Sequence, residues 1–197
     1  MVTENNKFKY DKLQVIRLAK QLVNGNALIL DTETTGLGEK DEIVELSIID
    51  IQGNVFIDTL IKPTILIPPS ASAIHKIKNT DISSAPYITD FIAELTQLFQ
   101  NNTVAIYNAE FDLRMLRQSL HAHGLRLPHT LRDNVCCAME LYSIFNGEYD
   151  KSKMGYKWIG LGSAAARLGI IVPSNFHRAK IDAELTREVI LKIANFQ

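Results

Sequence analysis

Asp31 and Glu33 are separated by one residue and follow the short apolar run Ala27-Leu28-Ile29-Leu30. On an extended strand, side chains two positions apart project from the same face, so both carboxylates enter one space. Two anions held that close repel each other unless something positive lies between them. A hard divalent cation suits the gap, because Mg2+ prefers carboxylate and water oxygens at about 2.1 Å and takes only one or two protein acids. Taken alone, an Asp-x-Glu pair more often marks a solvated strand end or a turn cap.

Two further groups extend the same chemistry. Asp112 falls at or near the first turn of a helix that follows the buried run Val104 to Tyr107, a position where the helix dipole favours an acid. Asn108 is a candidate cap for that helix, which leaves Asp112 free to face the first two acids. The last group is His177-Arg-Ala-Lys-Ile-Asp182. Five residues turn an α-helix through about 500°, or about 140° net, so the two side chains diverge if both lie well inside a helix. The spacing therefore predicts His177 in the incoming loop or first turn and Asp182 in the helix body. A loop-borne imidazole can then swing over a metal site held by a rigid acid.

The elements that must position these groups follow from hydrophobic spacing. Tyr10 to Val23 reads as a leading helix ended by Asn24-Gly25, and residues 27 to 30 as a buried strand with the acids at its end. Ile43 to Ile51 and Val55 to Lys62 read as strands around the turn Gln52-Gly53-Asn54, an antiparallel meander. Pro63, Pro68 and Pro69 end the sheet pattern. Helices are expected at Tyr87 to Phe99, from Asp112 to Gly124, at Val135 to Phe145, at Ile159 to Leu168 and through Asp182 to Ala194, with a polar loop from Asn146 to Lys157. The order predicts an α/β domain on a mixed β-sheet flanked by helices.

A chain of 197 residues, 46% apolar and 22% charged, fits one domain with its own core rather than a disordered or fibrous protein. Its two cysteines, Cys136 and Cys137, are chain neighbours and close no loop, which points to a reducing compartment. No apolar run serves as a signal h-region or spans a bilayer, so a cytoplasmic protein without membrane contact is expected.

Together the motifs resemble the DEDDh 3′→5′ exonucleases of the ribonuclease H-like superfamily, a group that includes the epsilon subunit of bacterial DNA polymerase III, RNase T and oligoribonuclease. Leu30-Asp31-Thr-Glu33-Thr-Thr-Gly36-Leu37 resembles the first motif. Tyr107-Asn108-Ala-Glu-Phe111-Asp112 resembles the second, with Tyr107 where many members carry His, and His177-x-Ala179-x-x-Asp182 resembles the third. The histidine of the third motif marks the DEDDh branch. The motifs span nearly the whole chain, so residues 26–197 are expected to form the exonuclease domain and residues 1–25 a helical extension packed on it.

The resemblance implies a metal-dependent enzyme that hydrolyses single-stranded nucleic acid from the 3′ end and releases nucleoside 5′-monophosphates. Two ions, Mg2+ or Mn2+, about 3.5–4 Å apart would clamp the scissile phosphate. Asp31 would bridge both, Glu33 and Asp182 would hold the nucleophile-side ion, and Asp112 the second, partly through water. His177 would take the proton from the attacking water. Thr34 and Leu37 resemble positions that contact the terminal nucleotide, and Asn108 and Phe111 fall in its pocket. Ile74-His75-Lys76-Ile77 resembles the family's His-Gly-Ile segment near the substrate, with Lys76 in place of the glycine. DNA of the proofreading type is the expected substrate, with RNA of the RNase T or oligoribonuclease type as the rival. A DNA polymerase is a partner the resemblance suggests, and the intact five-residue set argues against a non-catalytic accessory module.

Charge and loop chemistry add less. Setting aside the four metal-binding carboxylates turns the formal charge of −1 into +3, a mildly basic remainder suited to short, end-directed contacts. Lys151, Lys153 and Lys157 interleave with Tyr149, Tyr156 and Trp158, a basic and aromatic edge that fits either single-stranded nucleic acid or a solvated loop. His121, His123 and His129 read as surface residues.

Overall fold

In the computed structural model, which describes residues 4–152, 154–174 and 176–196, the β-branched runs form strands β1 (Leu28–Thr34), β2 (Ile43–Asp50), β3 (Val55–Leu60), β4 (Val104–Ile106) and β5 (Val135–Cys137). They pair in the order β3-β2-β1-β4-β5. The first three make the antiparallel meander, and β4 and β5 lie parallel to β1. Gly53 closes the β2–β3 turn at φ +94°, and the Asp50 carboxylate accepts the Gln52 and Asn54 N–H groups at 2.9 and 2.8 Å.

Helices cover both faces: α1 (Glu4–Asn24), α2 (Pro69–His75), α3 (Ile92–Asn101), α4 (Ala109–Ala122), α5 (Thr130–Asp133), α6 (Ala138–Asn146), α7 (Leu161–Arg167) and α8 (Ala179–Ala194). Strand alternation decides which face each residue of β1 meets. Ile29, with Ile49 and Ala105, enters a core shared with α1, α6, α7 and α8. Leu28 and Leu30, with Ile48 and Ile106, enter the opposite core with α3, α4 and α5. Continuing that alternation, Asp31 and Glu33 follow Ile29 toward α8, while Thr32 and Thr34 follow Leu30 toward α4. The leading helix is part of the first core: Val15, Ile16, Ala19 and Leu22 are buried in it, and the Lys12 ammonium sits 4.4 and 4.3 Å from the ring centroids of Phe145 and Phe196.

Two expectations need correction, at Val135 to Cys137 and in the loop after Asn146. The acids lie in the last residues of β1, at a strand end as expected, and pairing with β2 carries the strand through Thr34. Val135 to Cys137 is a strand and the helix starts only at Ala138, since β4 offers Val135 a parallel partner in Val104. The loop after Asn146 contains a hairpin, β6 (Tyr149–Asp150) against β7 (Gly155–Tyr156). The prolines end the sheet pattern as expected, since β3 stops at Leu60, and the stretch also holds α2, whose first residue is Pro69, a position where a missing N–H costs nothing.

Candidate active site

Strand lengths open the site. On one side β1 pairs with β2 to Thr34, with a bulge between Glu33 and Thr34. On the other, β4 stops at Ile106 opposite Leu30, one residue short of Asp31. The flank of Asp31 is therefore free of a neighbouring strand. The chain leaving β4 turns back through Asn108 into α4 and brings Asp112 into the gap, where Asp112 is 3% exposed. The Thr32 hydroxyl reaches it from β1 and donates to Oδ1 at 2.7 Å. Asn108 stands at the N-cap position but makes no side-chain cap; it holds φ 64°, ψ 56°, a left-handed conformation that asparagine tolerates. Its contribution is the sharp turn rather than the expected cap.

The other wall comes from α8. Asp182 lies in its first turn and is buried, while His177 precedes the helix by two residues, as the spacing predicts. The His177 N–H donates to Asp182 Oδ1 at 3.2 Å, and its ring packs 4.2 Å from that of Phe176. Among the described residues, Glu33, His177 and Asp182 form a group whose ligating atoms all lie within 4.8 Å of one another. Asp31 and Asp112 stand outside that tight trio, and their tie to it is electrostatic.

That tie is strong. Burial, then the charges of Asp112, Asp182, Glu33 and Glu45, drives the Asp31 carboxyl well above its ordinary range. Burial and the charges of Asp182, Glu45 and Asp112 raise Glu33 to about 8. Burial raises Asp112 to about 7 even though the Thr32 hydroxyl bond opposes it. Asp182 also reaches about 7 by burial, opposed by the His177 N–H and reinforced by Glu45. Oxygen-rich, half-dry and short of positive charge, this set fits a hard divalent cation, which relieves the repulsion that otherwise forces protons onto the acids.

Three contributors escaped sequence reasoning. Thr32 reads as the spacer of Asp-x-Glu, yet it holds Asp112. Glu45 is a 4% exposed acid directly opposite Glu33, and an acid inside the apolar run Ile43 to Ile51 was the signal that marked it. Arg178 is ion-paired with Glu45 and is visible in sequence only as the residue after His177.

The substrate candidates differ in exposure and in what holds them. Thr34 is buried and spends its hydroxyl on the Gly36 carbonyl at 2.8 Å. Leu37 is 77% exposed on a loop that is tightly braced. Asp41 accepts from the Thr35 hydroxyl and the Gly38 N–H, both at 2.6 Å. From α4, Arg114 donates to the Gly38 and Leu37 carbonyls at 3.0 and 3.3 Å, and Gln118 to those of Gly38 and Asp41 at 3.0 and 2.8 Å. Phe111 is half-buried against the second core, with the Arg114 guanidinium 5.3 Å from its ring.

His75 is 2% exposed, and its Nδ1 accepts the Ile77 N–H at 3.0 Å. Burial lowers its pKa against the opposing charge of Glu45. Lys76 adopts φ 66°, ψ 4°, so the lysine in glycine's place takes a glycine-like conformation. Farther out, His121 is exposed and His123 packs edge-on against Tyr87. The Tyr149 and Tyr156 rings meet edge-on at 5.7 Å, Trp158 is exposed, and Lys157 pairs with Glu148 at 3.6 Å. Lys153 lies outside the described residues.

The chain is similar to known exonucleases in sequence and in fold. The RNase_T family model, described as Exonuclease, matches residues 28–190. The protein named Uncharacterized exonuclease CP81 of Escherichia phage 186 is 38% identical over 179 residues, covering 89% of this chain and 92% of the phage protein. The DNA polymerase III subunit epsilon of Aquifex aeolicus is 24% identical over 182 residues, 90% of this chain and 85% of that subunit. Some relatives are far longer, and the chain spans as little as 11% of their length. Exonuclease X in complex with 5′ overhanging duplex DNA superposes with a TM-score of 0.63 at 25% identity, over 86% of this chain and 91% of that one. With its mixed sheet, its acids at the open flank of β1 and its histidine before α8, the chain belongs to the RNase_T exonuclease family and is a 3′→5′ exonuclease.

Proposed function

We propose that the chain removes nucleotides from the 3′ end of single-stranded DNA, with Asp31, Glu33, Asp112 and Asp182 holding two divalent ions, Mg2+ or Mn2+, and His177 acting as general base. The observation that carries this reading is the convergence of Glu33, His177 and Asp182 within 4.8 Å, beside two more carboxylates whose pKa values are raised by burial and by neighbouring acids. Bound ions supply Lewis-acid polarisation of the phosphate and a water made acidic enough to deprotonate near neutral pH.

The chain's own groups do the rest. Glu33, Asp112 and Asp182 must release protons held up to about 7 or 8 before they ligate. The exposed imidazole of His177 takes the proton from the attacking water, and its backbone is held by Asp182. Leu37 wedges beside the terminal base, and Thr34, His75, Asn108 and Phe111 shape the pocket for its sugar and base. The product is a nucleoside 5′-monophosphate.

DNA is favoured over RNA by the relatives, one a DNA polymerase III subunit and one solved with duplex DNA. The same kinship supports a DNA polymerase as partner. Among the described residues no helix is long and apolar enough to cross a membrane, in keeping with a cytoplasmic site of action. We assign residues 26–197 to the exonuclease domain and residues 1–25 to an extension of it, helical over Glu4–Asn24.

The test uses 5′-labelled single-stranded DNA and RNA oligomers with Mg2+ or Mn2+, comparing the wild type with Asp31→Ala. A ladder shortened from the 3′ end, faster on DNA and abolished by EDTA and by the substitution, is expected. Equal degradation by the variant would overturn the site, and faster cleavage of RNA would overturn the substrate.

A further inference from the structure

Glu45 is an acid in the middle of β2 that the proposed chemistry does not use. It lies opposite Glu33 in the β1–β2 register, and opposed residues of antiparallel strands share a face. Its carboxylate therefore sits on the side of Asp31 and Glu33. Its oxygens are already occupied by protein donors. Arg178 Nε donates to Oε1 and Oε2 at 3.1 and 3.0 Å, Arg178 Nη2 donates to Oε1, and the Ala179 N–H donates to Oε2 at 2.9 Å. All four bonds reach two consecutive residues, and those two directly follow His177.

The local backbone shows what the grip does. Arg178 occupies the N-cap of α8 without capping it by its own side chain, and the acceptor on Ala179 comes from β2 instead. His177 holds φ +71°, a left-handed conformation that residues other than glycine keep only where the surroundings over-determine it. Two restraints do so. Asp182 accepts the His177 N–H at 3.2 Å, and Glu45 clamps the next two residues. The acid is the buried half of the pair, with its side chain 6% exposed against 44% for Arg178. A charge-assisted fork of this kind fixes orientation as well as distance.

We propose that Glu45 is a positioning residue which, through Arg178 and Ala179, pins the turn that holds the His177 imidazole beside Glu33 and Asp182. The inference rests on the reading of His177 as general base. Glu45 is not read as a metal ligand, because its oxygens are committed to Arg178 and Ala179.

A double-mutant cycle tests this on the whole chain with labelled single-stranded DNA and Mg2+. Glu45→Gln keeps the size and one acceptor, and Arg178→Met breaks the pair from its exposed end should the first variant fail to fold. Thermal unfolding monitors both. Each substitution is expected to lower kcat roughly 10- to 100-fold, with KM and calorimetric Mn2+ affinity changed by less than about threefold. Neither should lower the residual rate of His177→Ala any further, because both act through the same imidazole. The same fractional loss in wild-type and His177→Ala backgrounds overturns the proposal, as does an unchanged kcat or a collapse of Mn2+ affinity. Full activity of His177→Ala on its own removes the general-base reading, and this inference with it, which tells the two failures apart.

Discussion

The Thr32 hydroxyl donates to Oδ1 of Asp112 over 2.7 Å, joining buried side chains from β1 and α4 that are 80 positions apart in the chain. Asp-x-Glu thus has a working middle residue. Its outer acids face α8, and the spacer reaches the other way to hold the acid that fills the gap beside β4.

Removing that hydroxyl should be felt in both stability and pH response. Thr32→Val keeps the shape but leaves the Asp112 oxygen without its donor, at a cost of about 1–3 kcal/mol. The bond opposes the upward shift of Asp112, so its loss raises that carboxyl further. Thermal unfolding at pH 7 and a pH–rate profile check this. Activity should fall at pH 7 and recover in part toward pH 9.

Metal-free protein should be least stable on the alkaline side of neutrality. Glu33, Asp112 and Asp182 have folded values of about 8, 7 and 7 against ordinary values of 4.5, 3.8 and 3.8. Between those limits the native state keeps protons that the unfolded chain has released, so stability falls as pH rises from about 4 to about 8, then levels off. Tm in EDTA is the measurement. A Tm that climbs over this range contradicts the assignment.

Adding Mg2+ or Mn2+ should reverse that trend, because ligation needs the deprotonated acids. The metal-induced rise in Tm is expected to be larger at pH 8 than at pH 6 and to disappear in Asp31→Ala. An equal rise in that variant would place the ion elsewhere.

Leu37→Ala should separate binding from folding. The side chain is 77% exposed, so stability should change by no more than about 0.5 kcal/mol. Its braced loop delivers an apolar surface worth about 1.5 kcal/mol to a stacked base, which predicts a loss of roughly tenfold in kcat/KM. Steady-state kinetics on a single-stranded oligomer decide it.

Lys76→Gly should stabilise the protein. Lys76 is exposed and sits at φ 66°, and relief of a left-handed side-chain conformation is worth about 1 kcal/mol. Chemical denaturation would show a higher midpoint with an unchanged slope.

Local periodicity carried much of this protein into view. The shared face of Asp31 and Glu33 needs only the two-residue repeat of a strand, and the placement of His177 ahead of α8 needs only the turn of a helix. The meander and most helices were legible for the same reason, since apolar spacing is a property of neighbouring residues. Val135 to Cys137 was not, because its apolar residues run straight into the helical spacing of Ala138 to Phe145, and they became a strand only when β4 presented an edge.

Glu45 and Arg178, 133 positions apart, meet only after β2 and α8 have docked, so no spacing announces them. The same holds for the charge state of the site. Which acids share a strand face and which histidine stands clear of a helix follow from the order of residues along the chain. Tertiary structure alone decided how dry and how close they are, because desolvation and Coulomb repulsion depend on distance and burial rather than on order along the chain.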